Sequence, residues 1–154
     1  MLSKKTKYAI NALRYLAKQD KKEPIQISTI AENEHIPRKF LEAILLDLRN
    51  AGILGSRKGK KGGYFLQRSA DDINIAEVVR LFEGAIALLP CVAHKYYQRC
   101  EECTDETTCG IRRVFAHIRN ETVAMLKDAT LSKIVQQEKE LEAGQVQEEE
   151  KINQ

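Results

Sequence analysis

The chain has 154 residues, enough for one domain of ordinary size with its own hydrophobic core. Its net charge is only +3, but residues 1–70 carry 15 Lys and Arg against 6 Asp and Glu, whereas residues 71–154 carry 10 against 16. No apolar run approaches the ~20 residues of a membrane span, and the amino-terminal segment lacks the apolar region and cleavage pattern of a signal peptide. We therefore expect a cytoplasmic protein without a membrane partner, whose basic first half contacts a polyanion.

The sequence begins with a predicted amphipathic helix. Ser3 is placed to cap it, and apolar residues recur at helical spacing as far as Lys18. These residues form one stripe that would face a core. The polar residues 20–24 then predict a break in the chain.

The next elements predict a helix-turn-helix. Residues 25–27 have the composition of a short extended piece, and Ser28 is expected to cap a brief second helix that covers residues 29–34. Pro37 suits the first position of a third helix, and Gly52 suits the left-handed position just past its end. A short helix, a tight turn and a longer helix form this motif, although many small helical domains contain the same pattern.

A basic, glycine-rich hairpin is predicted after the third helix. The short apolar segments 53–54 and 64–66 are suited to pair as strands, and GSRKGKKGG between them holds four glycines and four cations in nine residues. The alternative is a phosphate-cradling loop, but the Gly-Lys-Ser/Thr ending of a nucleotide P-loop is missing and no helix follows. The sequence therefore predicts a mainly α fold, a winged helix-turn-helix with a small β-hairpin wing.

A winged helix places its third helix in the major groove of DNA and its hairpin along the phosphates or in the minor groove. We therefore expect a double-stranded DNA operator as partner and no small-molecule substrate. The expected DNA-contacting residues come from the second helix, the third helix and the wing: Ser28, Arg38, Lys39, Phe40, Glu42, Arg49, Arg57, Lys58, Lys60, Lys61, Gly62, Gly63 and Tyr64. A plain interaction module is the competing interpretation; it would not share the steep salt dependence of DNA binding.

Two further helices are predicted beyond the wing. Asn74, with Glu77 three residues later, resembles a capping box, and it predicts a fourth helix that Gly84 ends. A long amphipathic helix follows Cys109. Its apolar stripe has three- and four-residue spacing and consists of Ile111, Val114, Phe115, Ile118, Thr122 and Met125. With no other long helix to cover it fully, this stripe favours a homodimer seam; packing against the first helix is the alternative.

The end of the chain predicts less structure. Thr130 is placed to cap a last helical turn, and residues 136–154 are polar and acidic, which is typical of a mobile tail. The chain thus divides into a predicted DNA-binding domain (1–70), a sensor loop with a dimerisation helix (71–135) and a flexible acidic tail (136–154).

All four cysteines lie in one polar loop. Eight residues separate Cys91 from Cys100, two separate Cys100 from Cys103, and five separate Cys103 from Cys109. Charged neighbours make the loop unsuited to a core, and cytosolic thiols stay reduced, so we expect a soft metal on these thiolates. An iron–sulfur cluster and zinc both accept four thiolates, and a reversible dithiol switch is the third interpretation. A CxxC redox enzyme would need a strand–helix context that is missing, so no enzyme is expected.

Together these features resemble the Rrf family of bacterial transcription regulators, which includes IscR-like iron–sulfur cluster regulators. The resemblance is carried by KFLEAILLDLRNAGIL, GKKGGY, INIAEVVRLFEG, the cysteine loop and the long helix, and it covers residues 1 to about 135. It implies a homodimeric repressor or activator. It also implies an iron–sulfur cluster (4Fe–4S or 2Fe–2S) with Cys91, Cys103 and Cys109 as ligands, and zinc is the alternative metal.

The fourth ligand of the family is missing from this sequence. The resemblance places the histidine of the IscR-like branch at Arg112, and the amino-terminal carboxylate of another branch at Tyr8. Neither side chain suits that role, so we expect Cys100 to complete an all-cysteine site, with His94 and His117 as weaker candidates. The function expected is that of a DNA-binding regulator, a repressor, whose operator affinity is switched by the cluster.

Overall fold

The computed structural model describes residues 2–19 and 23–152. These residues form six α-helices, a short 3-10 helix and a two-stranded antiparallel sheet: α1 (Lys4–Lys18), α2 (Ile27–Asn33), α3 (Arg38–Asn50), β1 (Leu54–Arg57), β2 (Gly63–Leu66), α4 (Ile75–Glu83), the 3-10 helix (Pro90–Val92), α5 (Gly110–Asp128) and α6 (Leu131–Ile152). The predicted mainly α winged helix-turn-helix is confirmed. No helix within these ranges is long and apolar enough to cross a membrane. Residues 20–22 of the predicted polar break lie outside the described residues.

The hydrophobic core lies where α1, α3 and α4 meet. The predicted apolar stripe of α1 faces it, and Leu13 of that helix is fully buried together with Leu45 and Leu48 of α3. Leu131, at the start of α6, is also fully buried and closes the core from the carboxyl-terminal side. Burial of such side chains contributes about 1.5–3 kcal/mol each, so this cluster holds the helices together.

The ends of the helices follow the local sequence. Ser3 and Asn74 accept hydrogen bonds from backbone N–H groups three residues later, and they cap α1 and α4 as expected. Gly52 (φ +73°) and Gly84 (φ +84°) occupy the positive-φ positions just after α3 and α4, where a side chain would be strained.

The start of α2 differs from the prediction. The helix begins at Ile27 with Gln26 at its N-cap, and Ser28 lies inside the first turn instead of capping it. Ile25 is extended because its backbone pairs with Tyr64 of β2, with N···O distances of 2.9 and 2.8 Å. This pairing ends the extended segment at Gln26, so the helix starts two residues earlier than expected.

Residues 136–152 continue α6, whereas the sequence predicted a mobile tail from residue 136. The helix is fixed to α1 by ion pairs, because Glu138 lies 2.9 Å from Arg14 and 2.7 Å from Lys18. Ion pairs between distant charged residues produce no apolar periodicity, so the sequence pattern did not predict this part of the helix. Residues 153–154 lie outside the described residues, and the division of the chain into domains stays a prediction.

The apolar stripe of α5 faces outward. The helix packs on α4 and on the 3-10 helix and buries none of its own residues. Ile111 is 66% exposed, Val114 57% and Met125 71%. These side chains do not pack against the first helix, which was the alternative, because α1 packs instead against α3, α4 and α6.

Candidate nucleic-acid interface and cysteine site

A groove of about 380 Å³ separates the helix-turn-helix from the wing, which consists of β1, β2 and the turn between them. Most of the predicted DNA-contacting residues line this groove: Ser28, Arg38, Arg49, Arg57, Lys58, Gly62, Gly63 and Tyr64. The others are exposed on α3 and at the tip of the wing: Lys39, Phe40, Glu42, Lys60 and Lys61. The fold therefore brings the predicted set to one side of the molecule.

The groove is positively charged. Arg38, Arg49, Arg57 and Lys58 line it, and no acidic residue does so in the described part of the chain. Glu42 lies one turn after Arg38 on α3, and its carboxylate is 3.1 Å from Nε of that arginine. An exposed pair of this kind contributes under about 1 kcal/mol, so both side chains are free to exchange partners.

The wing is held against the amino terminus of α2. Gln26 donates a hydrogen bond from Nε2 to the Lys60 carbonyl (3.1 Å), in addition to the pairing of Ile25 with Tyr64. A Cβ at Gly63 would lie 2.2 Å from the Ile25 carbonyl oxygen, so only glycine permits this close approach. Sequence reasoning missed Gln26, because its role depends on pairing with a segment far along the chain.

All four cysteines line a single cavity of about 140 Å³. Cys91 is buried in the 3-10 helix, the other three are half-buried, and all four are free thiols. Leu89 contributes an apolar wall. The fold thus gathers thiols that span the whole loop.

Cys109 forms the N-cap of α5. Its Sγ accepts a hydrogen bond from the Arg112 N–H at 3.4 Å, and this contact lowers the pKa of the Cys109 thiol. The Arg112 side chain also donates from Nε to the Cys91 carbonyl at 3.3 Å. The same arginine therefore links the two ends of the cysteine loop, and the helix N-terminus favours a thiolate there.

The other two half-buried thiols ionise less readily. Cys100 donates to the Glu102 carboxylate at 3.0 Å, which raises the pKa of the thiol. Burial, and then contact with Cys109, raises the pKa of Cys103. The intervening loop has hydrogen bonds of its own, such as that from the Tyr97 hydroxyl to Glu106 at 2.5 Å.

The model of the Rrf2 family, described as an iron-dependent transcriptional regulator, matches residues 2–137. The chain belongs to the Rrf2 family. An rrf2-like HTH-type transcriptional regulator of Rhodobacter capsulatus is 42% identical over 134 residues, which cover 85% of this chain and 89% of that protein. IscR of Vibrio atlanticus is 26% identical over 141 residues, 92% of this chain and 78% of that protein. CymR of Bacillus subtilis, the global cysteine regulator, has a solved structure with 26% identity and a TM-score of 0.73, covering 88% of this chain and 96% of that one.

Membership of the Rrf2 family makes the chain a DNA-binding transcriptional regulator. Its groove has the composition that this function requires, because phosphate contacts come from Arg, Lys, backbone N–H groups and helix N-termini. The exposed face of α3 adds side chains able to contact base edges. Among these is Phe40, which is 65% exposed although it is apolar.

The cysteine cavity of this Rrf2 protein brings together the sulfur donors that a soft metal would need. Within residues 2–19 and 23–152, no three His, Cys, Asp or Glu side chains form a group that would hold a single metal ion. Zinc in a four-thiolate site needs every sulfur at about 2.3 Å from one ion. An iron–sulfur cluster also takes four thiolates, so the donor set of this cavity fits either group.

Of the alternative positions for a fourth ligand, Arg112 lines the cysteine cavity, whereas Tyr8, His94 and His117 do not. Arg112 is engaged with the Cys91 carbonyl, and Tyr8 packs against the hydrophobic core. His94 lines a different cavity, between α4 and α5, and His117 is exposed on α5. Cys100 lines the same cavity as the other three cysteines, and the carboxylate residues Glu102 and Glu106 line it as well.

Proposed function

We propose that this Rrf2 protein is a homodimeric repressor whose affinity for its operator is switched by an iron–sulfur cluster on Cys91, Cys100, Cys103 and Cys109. One observation carries the proposal. The four thiols share a cavity at the start of α5, the helix whose apolar stripe is exposed. When bound, a cluster supplies a centre whose potential and stability respond to its exposure and hydrogen bonds.

The docking on DNA follows from the groove. We expect α3 in the major groove, with Arg38, Lys39 and Glu42 toward base edges and Phe40 toward a thymine methyl group. The wing would lie along the phosphates or in the minor groove, with the lysines at its tip as the cationic contacts. Gln26 and the Ile25–Tyr64 pairing hold the wing at a fixed distance from α3.

The salt dependence of operator binding tests this docking. The double variant Lys60→Ala, Lys61→Ala removes two exposed cations from the wing tip. Each lost phosphate contact should reduce the slope of log K against log salt by about 0.9, so the slope should fall by roughly 1.8 per protomer. The matched control, Lys127→Ala with Lys139→Ala, removes two exposed lysines from α5 and α6. Equal slopes for the two double variants would refute the docking.

The proposed dimer seam is the exposed stripe of α5. Ile111, Val114 and Met125 are each more than half exposed, an unfavourable surface for an isolated chain. A two-fold seam along α5 would bury the stripe of each protomer against that of its partner. The dimer would then present two α3 helices to two half-sites. The operator is therefore expected to be a palindrome whose half-sites are about one helical turn apart.

The cysteine site and the seam share one helix, which gives a path for the switch. Cys109 caps α5, and Arg112 ties the same helix to the 3-10 helix that carries Cys91. A change in the order of the loop therefore acts on the first turn of α5. A ligand shifts DNA affinity only by its difference in binding free energy between the two arrangements of the dimer.

Metal content decides between the candidate groups. Protein purified without oxygen should show visible absorption and contain iron and sulfide. Each of the variants Cys91→Ser, Cys103→Ser and Cys109→Ser should lose the absorption, the iron and the sulfide. The variant Cys100→Ser should weaken the cluster markedly, because an alkoxide replaces a soft ligand poorly. Stoichiometric zinc without iron or sulfide would refute the cluster. Full cluster content in Cys100→Ser would move the fourth ligand to another residue, with His94→Ala as the next variant.

Cys103 and Cys109 are free thiols that line the same cavity, which favours a thiol switch as the second candidate function. In that case an external disulfide would take two electrons and two protons from the pair, which would close a bond at the start of α5. Reversible oxidation of Cys103 and Cys109 in iron-free protein, with a change in operator affinity, would favour this candidate.

A further inference from the structure

We propose that the cavity between α4 and α5 binds a small oxyanion, an inorganic phosphate or a metabolite with phosphate or carboxylate groups. The cavity has a volume of about 200 Å³. Arg80 of α4, His94 and Lys95 of the loop after the 3-10 helix, and Arg119 of α5 line it. The rest of its lining is glycine, alanine and β-branched aliphatic side chains, and no carboxylate lines it among the described residues.

The cations of this cavity lack anionic partners. Within the part of the chain that the structure describes, neither Arg80 nor Lys95 makes an ion pair. The two carboxylates of α4 point elsewhere, because Glu77 lies 2.6 Å from Arg68 and Glu83 accepts hydrogen bonds from the start of α1. Cations that converge on one cavity from three segments repel one another, and an anion bound between them removes that repulsion.

Arg119 is fixed in a position to receive a ligand. Its Nη1 donates to the Val92 carbonyl, and its Nε and Nη2 donate to the Asn120 side-chain oxygen at 3.1 and 2.6 Å. These contacts hold the guanidinium plane and leave further N–H groups unused. A guanidinium held in this way loses little conformational entropy when it binds, which favours planar oxyanions.

The size of the cavity limits the ligand. Pockets for drug-sized molecules usually measure about 300–1,000 Å³, so about 200 Å³ suits an ion or a metabolite of few atoms. Ile86 and Val123 form an aliphatic wall on one side of the cavity, whereas Arg80 and Lys95 are exposed and able to reach a ligand from solvent. Phosphate and carboxylate oxygens are the acceptors that guanidinium and ammonium groups bind best.

The ligand would contact the body of the fold and α5 at the same time. Arg80 belongs to α4, which packs in the core, whereas Arg119 belongs to α5 and Lys95 to the loop between them. An oxyanion bound to all three would resist relative movement of α4 and α5. This cavity is distinct from that of the cysteines, but the two are connected, because His94 and Lys95 lie between Cys91 and Cys100 in the chain.

Calorimetric titration of the full chain with inorganic phosphate, and separately with succinate, tests the site at constant ionic strength set with potassium chloride. Arg80→Gln and Lys95→Gln should each weaken binding about tenfold, which is the loss of about 1.4 kcal/mol. Lys127→Gln is the matched control, since it removes an exposed cation of α5 that does not line the cavity. Failure of both anions to bind at millimolar concentration, or equal weakening in Lys127→Gln, would overturn the proposal.

Two further measurements identify the source of the anion. In phosphate-free buffer, Arg80→Gln and Lys95→Gln should leave operator affinity within the range of the Lys127→Gln control. A selective loss of operator affinity would instead assign the cavity to DNA phosphates and overturn the proposal. Sedimentation should show the same association state for all three variants. If only the cavity variants changed it, a carboxylate from a second copy would be the occupant, and the small-anion site would again be refuted.

Discussion

Arg14 connects the helix-turn-helix to α6, and its replacement gives a quantitative test of that connection. Its Nη2 lies 2.6 Å from Glu34, the residue that ends α2, and its Nη1 lies 2.9 Å from Glu138 of α6. The Glu34 side chain is only 10% exposed, whereas Arg14 is 27% exposed. Burial alone would raise the pKa of Glu138, but Lys18 and Arg14 outweigh it and hold that pKa below its usual value.

The variant Arg14→Met keeps most of the aliphatic stem and removes both charge-assisted hydrogen bonds. Such bonds contribute about 1.5–3 kcal/mol each, so the pair sets an upper bound of roughly 3–6 kcal/mol. The actual loss is smaller, because water reaches Arg14 and because Lys18 still pairs with Glu138 at 2.7 Å. We therefore expect a loss of about 2 kcal/mol, which for a chain of this length lowers Tm by about 4–8 °C.

Scanning calorimetry on Arg14→Met and on the control Lys18→Met measures this loss. Lys18 has the more exposed ion pairs of the two, so its replacement should cost under about 1 kcal/mol. The double variant Arg14→Met, Glu34→Gln should recover part of the loss, because it no longer leaves a nearly buried carboxylate without its partner. If Arg14→Met and Lys18→Met lose the same stability, or if the double variant is simply additive, the coupling through Arg14 is refuted.

The remaining predictions concern the seam, the wing and acid stability. Ile118→Asp places a charge on an exposed part of the α5 stripe, so it should turn a dimer into a folded monomer in sedimentation; a monomeric parent would contradict the seam. Gly63→Ala puts a Cβ 2.2 Å from the Ile25 carbonyl oxygen, so it should lower operator affinity while far-UV circular dichroism stays unchanged. Hydrogen bonds from Ser3 and Thr6 lower the pKa of Glu83 from 4.5 to about 2, so the stability they give is present above pH 4.5 and lost toward pH 2. Glu83→Gln should therefore flatten the decline in Tm over that range, and an unchanged pH profile would refute this role.

Local signals predicted α1 to α5 and most of their ends, but not the length of α6. Asn74 caps α4 by accepting a hydrogen bond from the N–H of Glu77, three residues later. Gly52 follows α3 because that position requires a positive φ. Each such signal is contained in a few neighbouring residues. The apolar stripe of α1 was equally predictable, since helical spacing alone decides which side chains share a face.

Contacts between distant segments explain what the sequence did not reveal. The segment before α2 pairs through Ile25 with Tyr64, and α6 contacts α1 through the ion pairs of Glu138. The basic cavity between α4 and α5 could not be predicted either, because its residues come from separate segments of the chain. Its cations, Arg80 and Arg119 among them, lie on separate elements and share no spacing pattern. The cysteines were found because all four lie in one short loop.

Two arginines of α5 hold the 3-10 helix at the cysteine site. Arg112 donates to the carbonyl of Cys91, and Arg119 donates to the carbonyl of the next residue, Val92. Helix α5 also packs on α4, and the apolar side chains of α4 belong to the core of the DNA-binding half. A change at the cysteines can therefore reach α3 by moving α5 relative to α4. If α5 forms the two-fold seam, even a small rotation at that contact is applied twice, once in each protomer, and it alters the distance between the two α3 helices.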